Sequence, residues 1–446
     1  MMSNGKKWRT FLGVSVLTVI AVVVSACSSG AKPAENKPAA PAAEAKPEPK
    51  AEPKGEVKMW TGFAAGGEAA GIKQILDLWQ TKNSPITINH RPIGNEQFET
   101  VVRTGLNGGD APDLLQFEGY AQTRSFAAAG QLTDLTQWWN ANKSRYVVAD
   151  SLVKACEYQG KVWCVPYSMH TGFQIYYNAD ILAKYNIAVP KDYDEFLAAA
   201  ETLKKNGVTP IAFGDKEGWP GEHYWMAFLV QRCGVDTTYK AINRQGAKFS
   251  DACFTQAAAD FQNLAKKGYF SPGAASDTYS TAQAYFLSGK AAFFQTGSWH
   301  AANWVSKPPT FKAGIMPFPR LKDAAVKEDQ TGAVTHVIAV PAGGKNKDAA
   351  MKVLDFLVSD EVQKLWAQAG QIALVKGAVE AGSPETVKQM WAQFSQAKAS
   401  LPWIENELPP GVGPDKVYNG TTALVSGAMT PEQFTKSIED AVAAAK

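Results

Sequence analysis

Apolar positions along this chain follow more than one rhythm, and each change of rhythm marks an element. The first apolar block, Phe11 to Val24, has no period: its 14 residues follow Lys6, Lys7 and Arg9 and lead into Ser25-Ala26-Cys27. A membrane-crossing helix needs about 20 such residues. A basic start, a short apolar middle and small residues before a break instead predict a secretory signal over 1–26. Residues 28–56 are Ala, Pro, Lys, Glu and Ser with almost nothing apolar of size. Such a stretch cannot bury enough surface to order itself. Its Pro and charges predict a semi-stiff tether, with a reach of at most ~90 Å at about 3.1 Å per residue.

Regular patterning begins at Val57. Val57 to Trp60 reads as a strand and is followed by a loop with Gly62, Gly66 and Gly67. Ile72, Ile75, Leu76 and Trp79 then recur at i, i+3, i+4 and i+7, one face of a helix. Ile86 to Asn89 is a second strand, a helix carries Phe98, Val101 and Val102, and Leu114 to Phe117 is a third strand. This β-α-β-α-β order predicts a parallel sheet with helices on both faces. Asp192 with Glu195 is a helix start of the capping-box kind, and Asn206-Gly207 closes that helix. Ala349 to Ala369 reads as one long amphipathic helix with Met351, Leu354, Leu357, Val358, Leu365 and Trp366 apolar, Trp366 facing the core. Thr430-Pro431 with Gln433 begins the last helix by the same capping logic.

Charge changes the picture once the leader is set aside. The chain carries 45 basic and 42 acidic residues. The excess of three is Lys6, Lys7 and Arg9, so the processed chain is neutral. No basic patch calls for nucleic acid. About 390 residues remain for the body, enough for two domains. Twelve of the 13 Trp lie beyond the signal; a neutral, Trp-rich exported protein suits a neutral, flat-faced ligand such as a sugar. Apart from Cys27 there are four cysteines, Cys156, Cys164, Cys233 and Cys253. An even number in an oxidising compartment favours disulfides. Three pairings are open; local proximity across a turn at Gln159-Gly160 favours Cys156 with Cys164, leaving Cys233 with Cys253. Without a CxxC or a near His pair, no metal site is expected, and no cofactor.

The Val24-Ser25-Ala26-Cys27 ending resembles a bacterial lipobox, which implies that Cys27 becomes an acylated N-terminus (palmitate among its chains) on the outer face of the cell membrane. Further on, several stretches resemble the extracellular solute-binding proteins of carbohydrate ABC transporters, of the maltose/oligosaccharide type. They are Gly109-Asp110-Ala111-Pro112-Asp113-Leu114, Leu132-Thr133-Asp134-Leu135, Gly160 to Trp163 with Pro166-Tyr167, Tyr176-Tyr177-Asn178, Gly289 to Phe293 with Gly297-Ser298-Trp299, and Ile338 to Pro341. The resemblance implies an α/β fold of two lobes, with a hinge and an interlobe cleft. Lobe 1 is expected over 57–164 plus 336–372, and lobe 2 over 165–335 plus 373–446. It also implies a monomer that captures an oligosaccharide in the cleft and delivers it to the permease subunits of an ABC importer.

A sugar ring offers an apolar face to an aromatic plane and a hydroxyl rim to carboxylates, amides and His. Trp299, in the Gly297-Ser298-Trp299 turn, is the leading platform by this resemblance, with Trp219 of the Gly214–His223 loop next. Trp60 at the first strand's end either meets ligand or packs the lobe edge. Glu68 either bonds a hydroxyl or favours the positive end of its helix. Glu118 follows the third strand, Tyr167 and His170 follow the first crossing, and His336 lies near a later one. Glu217 and Glu222 decorate the Trp219 loop, and Trp403 offers a further wall. A secreted carbohydrate hydrolase is the alternative, needing two carboxyls about 5–10 Å apart; GxSxG, HExxH and Walker motifs are absent. A sugar-sensing lipoprotein partnered with a receptor is the other.

Overall fold

The structure, a computed structural model, describes residues 53–147, 152–379, 382–409 and 411–445. The signal, Cys27 and most of the tether lie outside the described residues.

Strands β1 (Gly55–Thr61), β2 (Ile86–Pro92) and β3 (Leu114–Glu118) are joined by helices Gly66–Thr81 and Asn95–Gly108. β1 pairs in parallel with both β2 and β3, as the opening β-α-β-α-β pattern predicts. A two-strand hairpin, β4 (Glu157–Tyr158) and β5 (Lys161–Val162), turns at Gln159-Gly160. Cys156 and Cys164 flank it with Cα atoms 5.0 Å apart, joined sulfur to sulfur; Cys233 and Cys253 are joined likewise at 5.3 Å.

Next come β6 (Val165–Thr171), β7 (Gln174–Asn178), β8 (Thr209–Ala212), β9 (Ala291–Thr296), β10 (Ala313–Pro317), β11 (Gln330–Ala339), β12 (Ile372–Ala373) and β13 (Ala399–Leu401). Two main sheets result. The larger runs β12-β6-β11-β3-β1-β2 with β13 alongside β11; the smaller runs β10-β7-β9-β8. The larger sheet is mixed rather than parallel, because β11 runs antiparallel to both β3 and β6. A strand that arrives from another sheet needs no helical crossover and is free to run either way.

Each sheet has its own core. Val57, Met59, Leu115, Phe117, Tyr167, Val337 and Trp366 belong to the first. Ile175, Ile211, Trp225, Phe228, Phe261, Val334 and Phe434 belong to the second. β11 serves both, since Val334 and Val337 fall in different cores. The lobe boundaries expected from the sequence lie at 164/165, 335/336 and 372/373. The chain stays in the large sheet through Thr171, and Leu374, Ala378, Val387 and Met390 also pack in the first core. No residue type marks which sheet a strand joins.

The expected long helix Ala349–Ala369 is two helices, Lys347–Leu357 and Asp360–Gln368. Ser359 caps the second, its Oγ accepting from Val362 N at 3.3 Å. A cap residue followed by two acids is a start signal inside the apolar pattern. Trp366 is fully buried. At Asp192 the cap accepts from Glu195 N, but Glu195 returns its own bond to Lys191 N rather than to the cap. At Thr430 the box closes in both directions.

His300 is fully buried, its Nδ1 2.9 Å from Gln283 Nε2 and its ring edge-on to Tyr176 and Phe294. Burial pushes its pKa down to about 3. The unfolded chain therefore takes up this proton first, from about pH 6.5 downward. The His300 contribution is complete above that pH and falls as pH drops towards 3, by up to about 1.4 kcal/mol per unit. His300→Gln is expected to flatten this part of the acid limb in thermal denaturation read from pH 7 to 4. An acid limb as steep as the wild type's would show that His300 does not titrate this way.

Candidate functional site

The opposed ends of the two cores bring side chains from six segments together. On the large-sheet side, β6 and β11 lie in register with Val334 opposite His170 and His336 opposite Ser168. A bulge between His336 and Val337 breaks the ladder there; bulges of this kind re-aim side chains. His336 is also opposite Glu118 at the end of β3. Glu68 enters from the first turn of helix Gly66–Thr81. Its Oε1 lies 3.2 Å from His170 Nε2 and 3.8 Å from His336 Nδ1. None of these three atoms makes a hydrogen bond. They lie within 4.8 Å of one another, a donor set that a divalent metal can also use.

Aromatic side chains pack next to these polar groups. Ser298 locks the turn before Trp299 onto β6: its N–H donates to Thr171 O at 2.9 Å, and its Oγ accepts from Thr171 N at 3.2 Å. Gly297 is required there, because a Cβ would come within 2.0 Å of the Trp299 ring. The Trp299 indole N–H donates to Tyr279 Oη at 3.2 Å. Its ring lies 5.3 Å from His170, 5.6 Å from His223, 5.8 Å from Trp219 and 6.2 Å from Trp403. Trp219, which opens helix Trp219–Arg232, packs 4.6 Å from Tyr279. Trp403 packs 4.4 Å from His223.

Beneath this wall lie carboxyls. Glu222 is fully buried. Its Oε1 accepts from Glu405 N at 3.2 Å, while its Oε2 has no partner. Burial, then Glu405, hold its pKa well above the usual carboxylate range. Burial raises Glu405 as well. Glu118 is pushed up to about 7 by burial and by Glu405, against a hydrogen bond from Asn406 Nδ2 that lowers it. Burial, then Glu405, Glu222 and Glu118, raise Tyr418. His223 is pushed down to about 3 by burial and by His170; the same two causes hold His336 well below its ordinary value. His223 and His336 are thus neutral.

Eight expected residues meet here: Glu68, Glu118, His170, Trp219, Glu222, Trp299, His336 and Trp403. Three do not. Trp60 is buried on the Gly105 backbone beneath the Arg91 guanidinium, 4.8 Å away. Tyr167 packs in the first core against Phe63 and Trp366. Glu217 accepts from Tyr279 N at 3.0 Å and so serves the start of helix Tyr279–Leu287. Sequence reasoning passed over His223, Tyr279, Glu405, Asn406 and Tyr418. Only His223 carried a signal, being four residues beyond Trp219 on one helix face.

A family profile described as bacterial extracellular solute-binding protein matches residues 65–364. An uncharacterised ABC transporter extracellular-binding protein of Pyrococcus horikoshii is 27% identical over 355 residues, covering 77% of this chain and 75% of the relative. The multiple sugar-binding protein of Streptococcus mutans is 25% identical over 323 residues, covering 70% and 73%. A solved structure from Caldanaerobius polysaccharolyticus, described in connection with xylan utilization, superimposes with a TM-score of 0.78 at 25% identity. It covers 86% of this chain and 99% of that one.

Proposed function

We propose that this chain, which belongs to the bacterial extracellular solute-binding protein family, captures a carbohydrate and passes it to the permease of an ABC importer. The observation that carries this is the cluster of part-buried Trp219 and Trp299, with buried Trp403 beside them, next to Glu68, Glu118, His170 and His336. Indole planes cover the apolar faces of sugar rings, and the neighbouring polar set bonds their hydroxyls. Two part-buried indoles give more than one platform, which favours a di- or oligosaccharide. The sugar-binding name of the Streptococcus relative and the xylan context of the Caldanaerobius structure support the same class.

In this reading the large sheet with its core is one lobe and the small sheet with its core the other. β6, β11 and the β13 segment are the crossings, and hinge closure buries the ligand. Cys27 carries the acyl anchor, the tether spaces the body from the outer face of the cell membrane, and the two cysteine pairs are disulfides in that oxidising setting. Among the described residues no helix is long and apolar enough to cross a membrane. The protein acts as a monomer, without catalysis or cofactor.

A thermal-shift screen of mono- and oligosaccharides, followed by calorimetry, tests the function. A stabilising oligosaccharide with a micromolar or tighter Kd is expected. No shift with any carbohydrate would remove the reading. Glu118 and Glu222, as raised carboxyls, also suit a hydrolase acid. Release of reducing ends at catalytic rates would replace the binding reading by that one.

A further inference from the structure

The carboxyl groups of this site exceed what a hydroxyl rim needs, and among the described residues no Lys or Arg balances them. Among the described residues, no Lys or Arg forms an ion pair with Glu68, Glu118, Glu222 or Glu405; Glu68 and Glu118 have only His170 and His336 at ion-pair distance. Arg124, on the same side, is taken by Glu407 at 2.8 Å. Glu222 is fully buried, with the Glu405 carboxyl beside it and Tyr418 beside Glu405, and the Oε2 atom of each glutamate is buried. Such carboxyls keep their protons, and ionising them is costly unless a cation arrives. Neutral hydroxyls are served as well by amides, which carry no such cost.

We propose that the cleft is built for a sugar bearing a free amino group, its ammonium seated among Glu118, Glu222 and Glu405. This rests on the carbohydrate reading above and names the class within it. The site supplies both halves of such a ligand. Trp219 and Trp299, both part-buried, take the C–H faces of the rings, and indole faces also attract ammonium groups. Glu222 leaves the same helix turn as Trp219, and Glu405 follows Trp403 by two residues, so each acid sits beside an indole. Asn406 Nδ2 donates to Glu118 Oε2, which leaves Glu118 Oε1 to accept from the ligand. The ammonium supplies the positive charge that no Lys or Arg brings to these carboxyls.

The test is isothermal titration of the full chain, in EDTA so that no metal bridges Glu68 and the histidines. The probes are β-1,4-linked glucosamine oligomers, their N-acetylated forms and neutral cello-oligosaccharides of equal length. The free amine is expected to bind at least ~30-fold tighter than the N-acetyl form, since losing one partner of a buried charge pair costs about 2 kcal/mol or more. Glu222→Gln and, independently, Glu118→Gln should each weaken the amine by roughly tenfold or more, and by more than they weaken the N-acetyl form; equal losses for both forms count against the ammonium seat. Equal or tighter binding of the neutral forms overturns the amino-sugar class and leaves the carbohydrate reading standing. Failure of every carbohydrate overturns both.

Discussion

Trp299→Ala is expected to weaken sugar binding about 100-fold, read as a rise in Kd by calorimetry with the fold intact by circular dichroism. Trp299 is the hub of the wall, touching side chains from β6, from the helix opened by Trp219 and from the segment around Trp403. It is only part-buried, so one face remains to be covered by ligand. An aromatic side chain buries 150–250 Å² in full. Half of that at about 25 cal/mol per Å² gives about 2–3 kcal/mol, or roughly 30- to 150-fold. Its indole N–H holds Tyr279, so the truncation also loosens Trp219, which packs on Tyr279. Trp60→Ala is the control. That ring lies in the first core, so the variant should lose about 3–5 kcal/mol of stability while its folded fraction binds with near-native affinity. Unchanged affinity in Trp299→Ala would remove Trp299 from the site.

The contrast between these tryptophans shows what patterning conveys. A strand's end position tells which residues approach a cleft, but alternate side chains point to opposite faces. Met59 and Trp60 are both buried on β1, and Trp60 falls on the face covered by Gly105 of the next helix. On β6, Tyr167 and His170 are three apart and so face opposite sides; only one of them can reach the site. His170 and Ser168 share the site face, as the pairing of Ser168 with His336 places them. Tyr167 turns to Phe63 and Trp366 instead. Nothing in the local sequence selects between the two faces.

Helix faces, capping residues and the parallel opening were legible because each depends on neighbours within a few positions. The mixed sheet was not, since strand direction in β11 follows from a crossing between cores. Glu405, Asn406 and Tyr418 were hidden for the same reason. They reach Glu118 and Glu222 only through contacts about 180 residues or more distant in sequence.

Gly67→Val is expected to lower sugar affinity on the order of 100-fold without unfolding either core. Gly67 sits inside helix Gly66–Thr81, where glycine costs about 1 kcal/mol against alanine, so its presence calls for a packing reason. The reason is Ala302. A Cβ at position 67 would come within 2.2 Å of the Ala302 Cβ and 2.9 Å of its carbonyl carbon. The Gly67 N–H also donates to Asn303 Oδ1 at 3.2 Å, which serves one of the bare donors of the helix start. Ala302 and Asn303 lie on helix Trp299–Ser306, the helix that Trp299 opens. Glu68 is the next residue along from Gly67. One backbone contact therefore sets how near the polar wall stands to the aromatic wall. A valine must push the two helices apart. That separates Glu68 from Trp299, so bound sugar no longer holds the closed arrangement. Helix propensity hardly opposes the change, so the unliganded melting temperature should move little. Small-angle scattering with saturating sugar should then show a radius of gyration near that of the unliganded protein, where the wild type contracts. Wild-type affinity with wild-type contraction in Gly67→Val would show that this contact does not govern closure.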